Sequence, residues 1–190
     1  MAEPVTAPMS VEEFLDWQER QEDLYELVDG VPVPRWKAMT GATKRHDRIV
    51  VNAIIALGNK LRGGPCRPMT ADIGTRTASN LRRPDLTVEC GSYDPVHRES
   101  SAPVLVLEVL SPSTEGIDRL IKLEEYKAMP TLRHILLAEP GKAHVLLYSR
   151  HDDGPWSSMS HIGPDSSLDL PAIGCSLSLA ELYEDVPGAA

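Results

Sequence analysis

The sequence predicts a mixed α/β fold in which helices pack on a mixed sheet. Apolar residues recur at helical spacing through residues 42–61, and glycines and a proline end that run. Three strand-like segments follow, and the last is an apolar run at 104–110. A helical segment at 114–128 then leads to an apolar strand at 133–138. This order, α-β-β-β-α-β, is typical of a sheet covered by helices, to which an N-terminal hairpin and C-terminal strands are added.

Composition limits the class of protein. The 190 residues are 42% hydrophobic and 25% charged, which predicts one domain at residues 9–185 after a disordered segment at 1–8. No apolar stretch approaches about 18 residues and no secretory leader is recognisable, so we expect a cytoplasmic protein without a membrane partner. A net charge of −9 argues against a protein that coats nucleic acid, but it allows an enzyme that meets DNA transiently.

The N-terminal elements have clear local signals. Ser10 and Glu13 form a predicted capping box at the start of the first helix. Short apolar runs at 24–28 and 31–33 flank Asp29-Gly30, which predicts a hairpin with a tight turn.

The long helix carries a histidine on its apolar side. His46 lies three and four residues before Ile49 and Val50, so its side chain follows the buried stripe. It is either a hydrogen-bonded core histidine or a residue of a functional site.

Three strands are predicted after this helix, at 70–77, 85–90 and 104–110, with turns at 79–83 and 91–102. Two of these strands contain carboxylates. Asp85 and Glu89 share a face of the middle strand, and Glu108 interrupts an otherwise apolar strand. A buried, unpaired carboxylate would cost several kcal/mol or become neutral, so Glu108 must meet a cation, hydrogen-bond donors or a metal.

The second long helix is predicted to turn Ile117, Leu120 and Ile121 toward the sheet. An adjacent face of that helix carries Asp118, Lys122, Glu125 and Tyr126. Further strands at 133–138, 143–148, 156–162 and 167–170 precede a helix at 178–183, capped by Ser178 and Glu181. Cys66, Cys90 and Cys175 are widely spaced and odd in number, so we expect reduced cysteines that lie mostly in the core.

Several of these segments together carry a family resemblance. Arg83-Pro84-Asp85 and Glu108-Val109-Leu110 resemble the paired acidic positions of the PD-(D/E)XK nuclease superfamily. The full series comprises YELVDG at 25–30, His46, RRPDLTV at 82–88, LEVLSPST at 107–114, Asp118, Lys122, Tyr126 and Glu139-Pro140. This series, over about residues 9–185, is similar to the "putative restriction endonuclease" family that is abundant in cyanobacteria, long called a domain of unknown function.

The resemblance implies a restriction-endonuclease-like fold and a Mg²⁺-dependent endonuclease that cuts DNA, with Mn²⁺ as a possible substitute. It assigns Asp85, Glu108 and the backbone carbonyl of Val109 as metal ligands, because Mg²⁺ prefers oxygen donors. The superfamily lysine is replaced by Leu110, and Lys122 on the following helix is the implied substitute.

Further roles also follow from the resemblance. Glu26, His46, Asp118 and Arg83 are implied to support the site or touch the substrate. Cleavage of both strands of a duplex favours a two-fold homodimer, for which the strands after residue 143 are a conjectured interface.

Structural alternatives exist for these residues and for the protein as a whole. Asp85 could be a turn carboxylate, Glu108 could pair with Arg83, and Lys122 could pair with Asp118 on the surface. Glu26 could pair with Arg35 or Lys37. Tyr126 could serve packing alone, and Glu89 could lie on an exposed face. A nuclease-like fold without activity, serving as a protein-interaction or DNA-binding subunit, is favoured by the acidic charge and the missing lysine. Hydrolysis of another phosphoester is the third possibility.

Overall fold

The computed structural model describes residues 7–35, 43–100, 102–110 and 117–188, with the backbone alone for residues 117–119. The helices are α1 (Val11–Gln18), α2 (Lys44–Lys60), α3 (Ile117–Ala128) and α4 (Leu179–Leu182), with a short 3-10 helix at Pro171–Ile173. The strands are β1 (Tyr25–Val28), β2 (Val31–Pro34), β3 (Cys66–Thr70), β4 (Gly74–Arg76), β5 (Leu81–Arg82), β6 (Leu86–Cys90), β7 (Glu99–Ser100), β8 (Pro103–Val109), β9 (His134–Ala138), β10 (His144–Ser149), β11 (Ser157–Ile162), β12 (Ser167–Leu170) and β13 (Cys175–Ser178).

The strands form two mixed sheets and a small hairpin. The larger sheet has the order β11-β10-β9-β8-β6-β3, in which β8 and β9 run parallel and the other neighbours antiparallel. The smaller has the order β2-β1-β5-β4-β7, and β12 pairs with β13. The predicted α-β-β-β-α-β core corresponds to α2, β3, β6, β8, α3 and β9, which confirms the fold class.

Local signals at the N-terminus act as predicted. The Ser10 hydroxyl accepts the Glu13 N–H at 3.2 Å, and the Glu13 carboxylate accepts the Ser10 N–H at 2.8 Å. Asp29 and Gly30 have φ values of 50° and 77°, so both turn residues of the β1–β2 hairpin are left-handed. A similar capping box at Ser178 begins α4.

Helices cover both faces of the larger sheet. Ile49, Ala53 and Leu57 of α2 are fully buried in the core on one face. On the other face, Leu123 and Tyr126 of α3 are buried.

The predicted orientation of α3 is wrong, because Leu120 and Ile121 are 62% and 48% exposed. The helix is instead rotated so that Leu123 and Tyr126 fill the core. That rotation also turns Lys122 toward the centre of the molecule, where its side chain is only 13% exposed.

The predicted strand at 70–77 is wrong in its bounds, because it contains only the last residue of β3 together with β4, and these two strands belong to different sheets. β3 pairs with β6 in the larger sheet, and β4 pairs with β5 in the smaller one. A turn closed by the Ile73 N–H on the Thr70 carbonyl, at 3.1 Å, separates them. The predicted turns at 79–83 and 91–102 contain the two-residue strands β5 and β7, too short for a sequence pattern.

The prediction of reduced cysteines is wrong for two of the three. Cys66 and Cys90 form a disulfide, and Cys175 is free. The two bonded residues lie opposite each other in the β3–β6 ladder. Their pairing depends on strand register, which their number and spacing in the sequence do not reveal.

The two sheets meet where β5 passes directly into β6. Arg83-Pro84-Asp85 makes this crossing, and the proline suits a point where ladder hydrogen bonding stops. Buried hydroxyls of Thr75 and Thr87 lie 3.0 Å apart across the seam between the sheets. Within the described residues, no helix is long and apolar enough to cross a membrane.

Candidate active site

Asp85 and Glu108 meet at the seam between the two sheets. Leu86 of β6 pairs with Leu107 of β8, so one further step in the antiparallel register places Asp85 opposite Glu108 on the same face. The Val109 N–H donates to Asp85 Oδ2 at 2.8 Å, which joins the two strand ends. The N–H and carbonyl of a strand residue point to the same side, so the Val109 carbonyl also faces Asp85.

An arginine and a histidine approach the other oxygen of Asp85. Arg35 Nη2 and His46 Nε2 lie 3.2 Å and 3.3 Å from Asp85 Oδ1. Burial lowers the pKa of His46, but its hydrogen bond to Asp85 and the charges of Asp85 and Glu108 outweigh that effect, so the net pKa is raised. His46 therefore belongs to the cluster, and its aromatic ring is also buried.

Glu108 is partly buried and accepts a hydrogen bond from Tyr126. The Tyr126 hydroxyl lies 2.8 Å from Glu108 Oε1. Burial raises the pKa of Glu108 to about 7, with Lys122 opposing the shift and the Asp85 and Glu26 carboxylates adding to it. Burial therefore favours the neutral form of this carboxylate, and the two neighbouring carboxylates add to that preference.

Lys122 reaches the same cluster from α3. Its Nζ lies 3.2 Å from Glu26 Oε1, and its charge stabilises the ionised form of Glu108. The alternative of a purely surface lysine is therefore wrong. The Asp118 side chain lies outside the described residues, so its predicted role stays a prediction.

Glu26 is a buried carboxylate of β1 that collects several donors. It accepts Lys122 Nζ at 3.2 Å, Arg82 Nη1 at 3.3 Å and the Arg83 backbone N–H at 3.0 Å. Burial raises its pKa, but these three partners together lower it below the ordinary value. The alternative pairing with Arg35 is wrong, since Arg35 contacts Asp85, and Lys37 lies outside the described residues.

Arg83 lies beside the site and donates its backbone N–H to Glu26 at 3.0 Å, while its contact with substrate stays a prediction. Its guanidinium is buried and donates to the carbonyls of Tyr25, Ala71 and Asp72 at 2.8, 3.1 and 2.6 Å. These bonds hold the turn after β3 against β1. They also remove Arg83 as an ion-pair partner of Glu108.

An ion pair that the sequence reading did not find links α3 to the smaller sheet. Arg82 is 1% exposed and donates two hydrogen bonds to Glu125, at 2.8 Å and 2.6 Å. Asn80 and Thr77 donate to the same carboxylate at 2.9 Å and 3.3 Å. Glu125 lies three residues after Lys122, on a neighbouring part of one helix face, and this spacing was the available signal.

The residues fit a divalent cation through their chemistry. Asp85, Glu108 and the Val109 carbonyl offer oxygen donors at adjoining strand ends, and a cation there would offset both the burial of the Glu108 charge and the repulsion from Asp85 and Glu26 that raise the Glu108 pKa. Arg35 and His46 would have to release Asp85 Oδ1. Over the described ranges, no group of three or more His, Cys, Asp or Glu side chains is arranged to hold a metal.

Comparison with known proteins identifies the family. The sequence profile of the Uma2 family, described as "Putative restriction endonuclease", matches residues 11–180. The chain belongs to the Uma2 family. The family resemblance predicted from the sequence motifs is therefore confirmed.

Relatives of this Uma2 protein include cyanobacterial chains of nearly the same length. It is 36% identical to uncharacterized protein slr1290 of Synechocystis sp. over 181 residues, which is 92% of this chain and 91% of that one. A second Synechocystis protein, sll1609, is 24% identical over 175 residues, covering 90% and 97% of the two chains. A crystal structure from Anabaena variabilis of a putative nuclease belonging to DUF820 superposes with a TM-score of 0.70 at 18% identity, covering 93% and 98%, which shows a shared fold.

Proposed function

We propose that this Uma2-family protein is a divalent-metal-dependent endonuclease that hydrolyses phosphodiester bonds in DNA. The observation that carries the proposal is the meeting of three predicted residues. Asp85 and Glu108 lie opposite each other at adjoining strand ends, and Lys122 of α3, whose Nζ contacts Glu26, lies near enough for its charge to act on Glu108. The family description supports a nuclease, and restriction-endonuclease-like families generally use a divalent metal.

Mg²⁺, or Mn²⁺ in its place, would be held by Asp85, Glu108 and the Val109 carbonyl. Such an ion, when bound, lowers the pKa of a bound water and offsets negative charge on the phosphate. Lys122 supplies a positive charge beside Glu108, where negative charge grows in the transition state. In the superfamily this charge comes from a lysine at the position that Leu110 occupies here.

The other site residues hold these groups in place. Glu26 accepts Lys122 Nζ and thereby restricts a long, flexible side chain to one position. Arg35 and His46 both contact Asp85, and both would be available to a phosphate if Asp85 bound a metal instead. Tyr126 orients the carboxylate of Glu108 through its hydroxyl.

The proposal includes a cytoplasmic protein that acts on DNA transiently as a two-fold homodimer. Two copies related by a two-fold axis would present one site to each strand of a duplex. The strands after residue 143 remain the proposed interface.

A second candidate is an inactive nuclease-like subunit that binds protein or DNA. One observation favours it specifically: Asp85 already accepts Arg35, His46 and the Val109 N–H, so the chain's own donors satisfy a proposed metal ligand. In that case the cluster would serve only to join the two sheets.

Plasmid cleavage separates the two candidates. Purified protein is incubated with supercoiled plasmid and Mg²⁺ or Mn²⁺, beside Asp85→Asn, Glu108→Gln and Lys122→Met. We expect the wild type to nick the plasmid and the three variants to lose at least 100-fold in rate. Glu124→Gln is the matched control, because Glu124 is an exposed carboxylate of the same helix, paired only with Lys127 among the described residues.

Metal binding is measured in parallel by calorimetry. Cleavage that persists in Asp85→Asn and Glu108→Gln would show that the site is assigned wrongly. A folded wild type that neither cleaves nor binds Mg²⁺ or Mn²⁺ would support the inactive subunit.

A further inference from the structure

Three side chains at one end of the larger sheet form a continuous hydrogen-bonded line. His144 Nδ1 lies 2.7 Å from Glu139 Oε1, and His144 Nε2 lies 2.6 Å from the hydroxyl of Ser160. The order is carboxylate, imidazole, hydroxyl. This is the arrangement in which a carboxylate orients a histidine and the histidine takes a proton from a nucleophilic serine.

The sheet itself fixes this line, because the three residues come from adjacent strands. Ala138 pairs with Val145, so Glu139 stands opposite His144, and the Glu139 N–H donates to the His144 carbonyl at 3.0 Å. Ser160 is paired with the residue two positions after His144, which makes it a diagonal neighbour on the same face.

Tyr183, which follows α4, holds the turn between β9 and β10 in place. The hydroxyl of Tyr183 lies 2.9 Å from the Glu139 carbonyl and 2.8 Å from the His144 carbonyl. Its aromatic ring is buried, so the turn between the two strands is held against the core. The carboxylate and the imidazole are therefore positioned before any substrate arrives.

The charge state of Glu139 suits the role. Burial raises its pKa, but the hydrogen bonds from His144 and Lys142 lower it below its ordinary value, so the carboxylate is ionised at neutral pH. An ionised Glu139 accepts a proton-bearing Nδ1, which leaves Nε2 free to accept the hydroxyl proton of Ser160. Lys142, 3.2 Å from Glu139 Oε2, is the charged group behind this pair.

Ser160 is open to solvent and has a donor beside it. β11 is the outer strand of its sheet in the described part of the chain, and Ser160 is exposed. The Gly163 N–H donates to the Ala143 carbonyl, and hydrogen-bonded pairs alternate along an antiparallel ladder. By that alternation Ser160 and Leu146 are a non-hydrogen-bonded pair, so the Ser160 N–H points away from β10. The Ser160 N–H can therefore donate a hydrogen bond to the oxyanion that forms when the Ser160 hydroxyl attacks a carbonyl carbon.

We propose that Ser160 is a nucleophile, activated by His144 and positioned by Glu139, that takes acyl groups from carboxylic esters. Ser160 Oγ bonds to the ester carbonyl carbon while its proton moves to His144 Nε2. The bond from that carbon to the alcohol oxygen then breaks, and the proton passes to the leaving alcohol. Water, deprotonated by His144, releases the acid and restores the serine. An open site with one oxyanion donor suits esters with good leaving groups rather than amides.

The test uses p-nitrophenyl acetate and a fluorophosphonate probe on the full chain in EDTA. Mass spectrometry of the labelled protein should place the probe on Ser160. Ser160→Ala should abolish labelling and ester turnover, and His144→Gln should lower both at least tenfold. Ser158→Ala is the matched control, because Ser158 is an exposed serine on the same face of the same strand, and it should behave as wild type.

The positioning role of Glu139 has its own readout. Glu139→Gln should lower the rate of labelling at least tenfold with little change in the urea midpoint, because the imidazole loses the carboxylate that orients it. Glu139→Asp should partly restore the rate. Equal labelling of wild type and Ser160→Ala, or labelling that spreads over Ser158 and Ser160, would overturn the proposal, provided that far-UV circular dichroism shows folded variants. Labelling and ester turnover in EDTA need no divalent metal, which keeps this activity separate from the metal-dependent nuclease proposal.

Discussion

Arg82 and Glu125 form a bidentate ion pair that joins the smaller sheet to α3, with nitrogen–oxygen distances of 2.8 Å and 2.6 Å. The third contact of Arg82 reaches Glu26, which in turn holds Lys122. One buried arginine therefore connects the strand side of the site to the helix that supplies the lysine. The position of Lys122 depends on this connection as much as on its own helix.

We predict that Arg82→Leu lowers the free energy of unfolding by about 3 kcal/mol, because it removes the bidentate cation of the part-buried Glu125 and one of the two cations that contact the buried Glu26. Urea denaturation followed by circular dichroism measures the change. Arg98→Leu is the control. Arg98 also bridges two carboxylates, Asp16 and Glu19, but its side chain is 40% exposed, so its loss should cost less than about 1 kcal/mol. Equal losses in the two variants would contradict the prediction.

Glu108 should make the protein less stable as the pH rises. Its folded-state pKa of about 7 exceeds the ordinary value of 4.5, so the folded state favours the protonated form. The cost of ionising it is absent below about pH 4.5, grows through pH 7 and reaches roughly 2 to 3 kcal/mol above that. Glu108→Gln should therefore unfold at higher urea than wild type at pH 8 in EDTA, with little difference at pH 4.5. A constant difference at both pH values would contradict this account.

His134 should have the opposite pH dependence. Burial lowers its pKa to about 4, and the Ala172 N–H donates to its Nε2 while its Nδ1 contacts the Ser149 hydroxyl. The folded state holds the neutral ring, so stability is full above the unfolded pKa near 6.5 and falls by up to about 3 kcal/mol as the pH drops to 4. Replacing His134 with Gln should flatten this acid limb in urea titrations. His151→Gln, at an exposed position, should leave the limb unchanged.

The Cys66–Cys90 disulfide should contribute measurably to stability. It closes a loop with a sequence separation of 24, for which chain entropy predicts about 3 kcal/mol. Cys66→Ser should lower the urea midpoint accordingly, and a reducing agent should have the same effect on wild type. Cys175→Ser serves as the control, because Cys175 is free. A wild type that is indifferent to reductant would show that the bond does not stabilise the fold.

Local sequence signals predicted most of the helices and strands, but they did not predict which distant strands and side chains pair. The capping boxes at Ser10 and Ser178 and the turn at Asp29-Gly30 depend on neighbours within four residues. The break between β3 and β4 depends instead on which sheet each strand joins. The spacing of apolar residues does not show which sheet each strand joins, because β3 and β4 are both partly buried and lie close together in the sequence.

The site shows the same division. Asp85, Glu108 and Lys122 were found through motifs, and the structure brings them together. Tyr126 was assigned to packing, which its burial bears out, but its hydroxyl also reaches Glu108. The spacing from Lys122 places Glu125 near the site, but it does not identify Arg82, 43 positions away in the sequence, as the partner of Glu125.

The disulfide also makes the chain from Cys66 to Cys90 a closed covalent ring. That ring leaves the larger sheet after β3, passes through β4 and β5 of the smaller one, and returns through Asp85 to β6. A protease cut in the turn between β3 and β4 would open the backbone without releasing a fragment. Glu26 and His46 would then lie on one piece and Asp85 and Glu108 on the other, and the disulfide would be the covalent link between the two pieces until it is reduced.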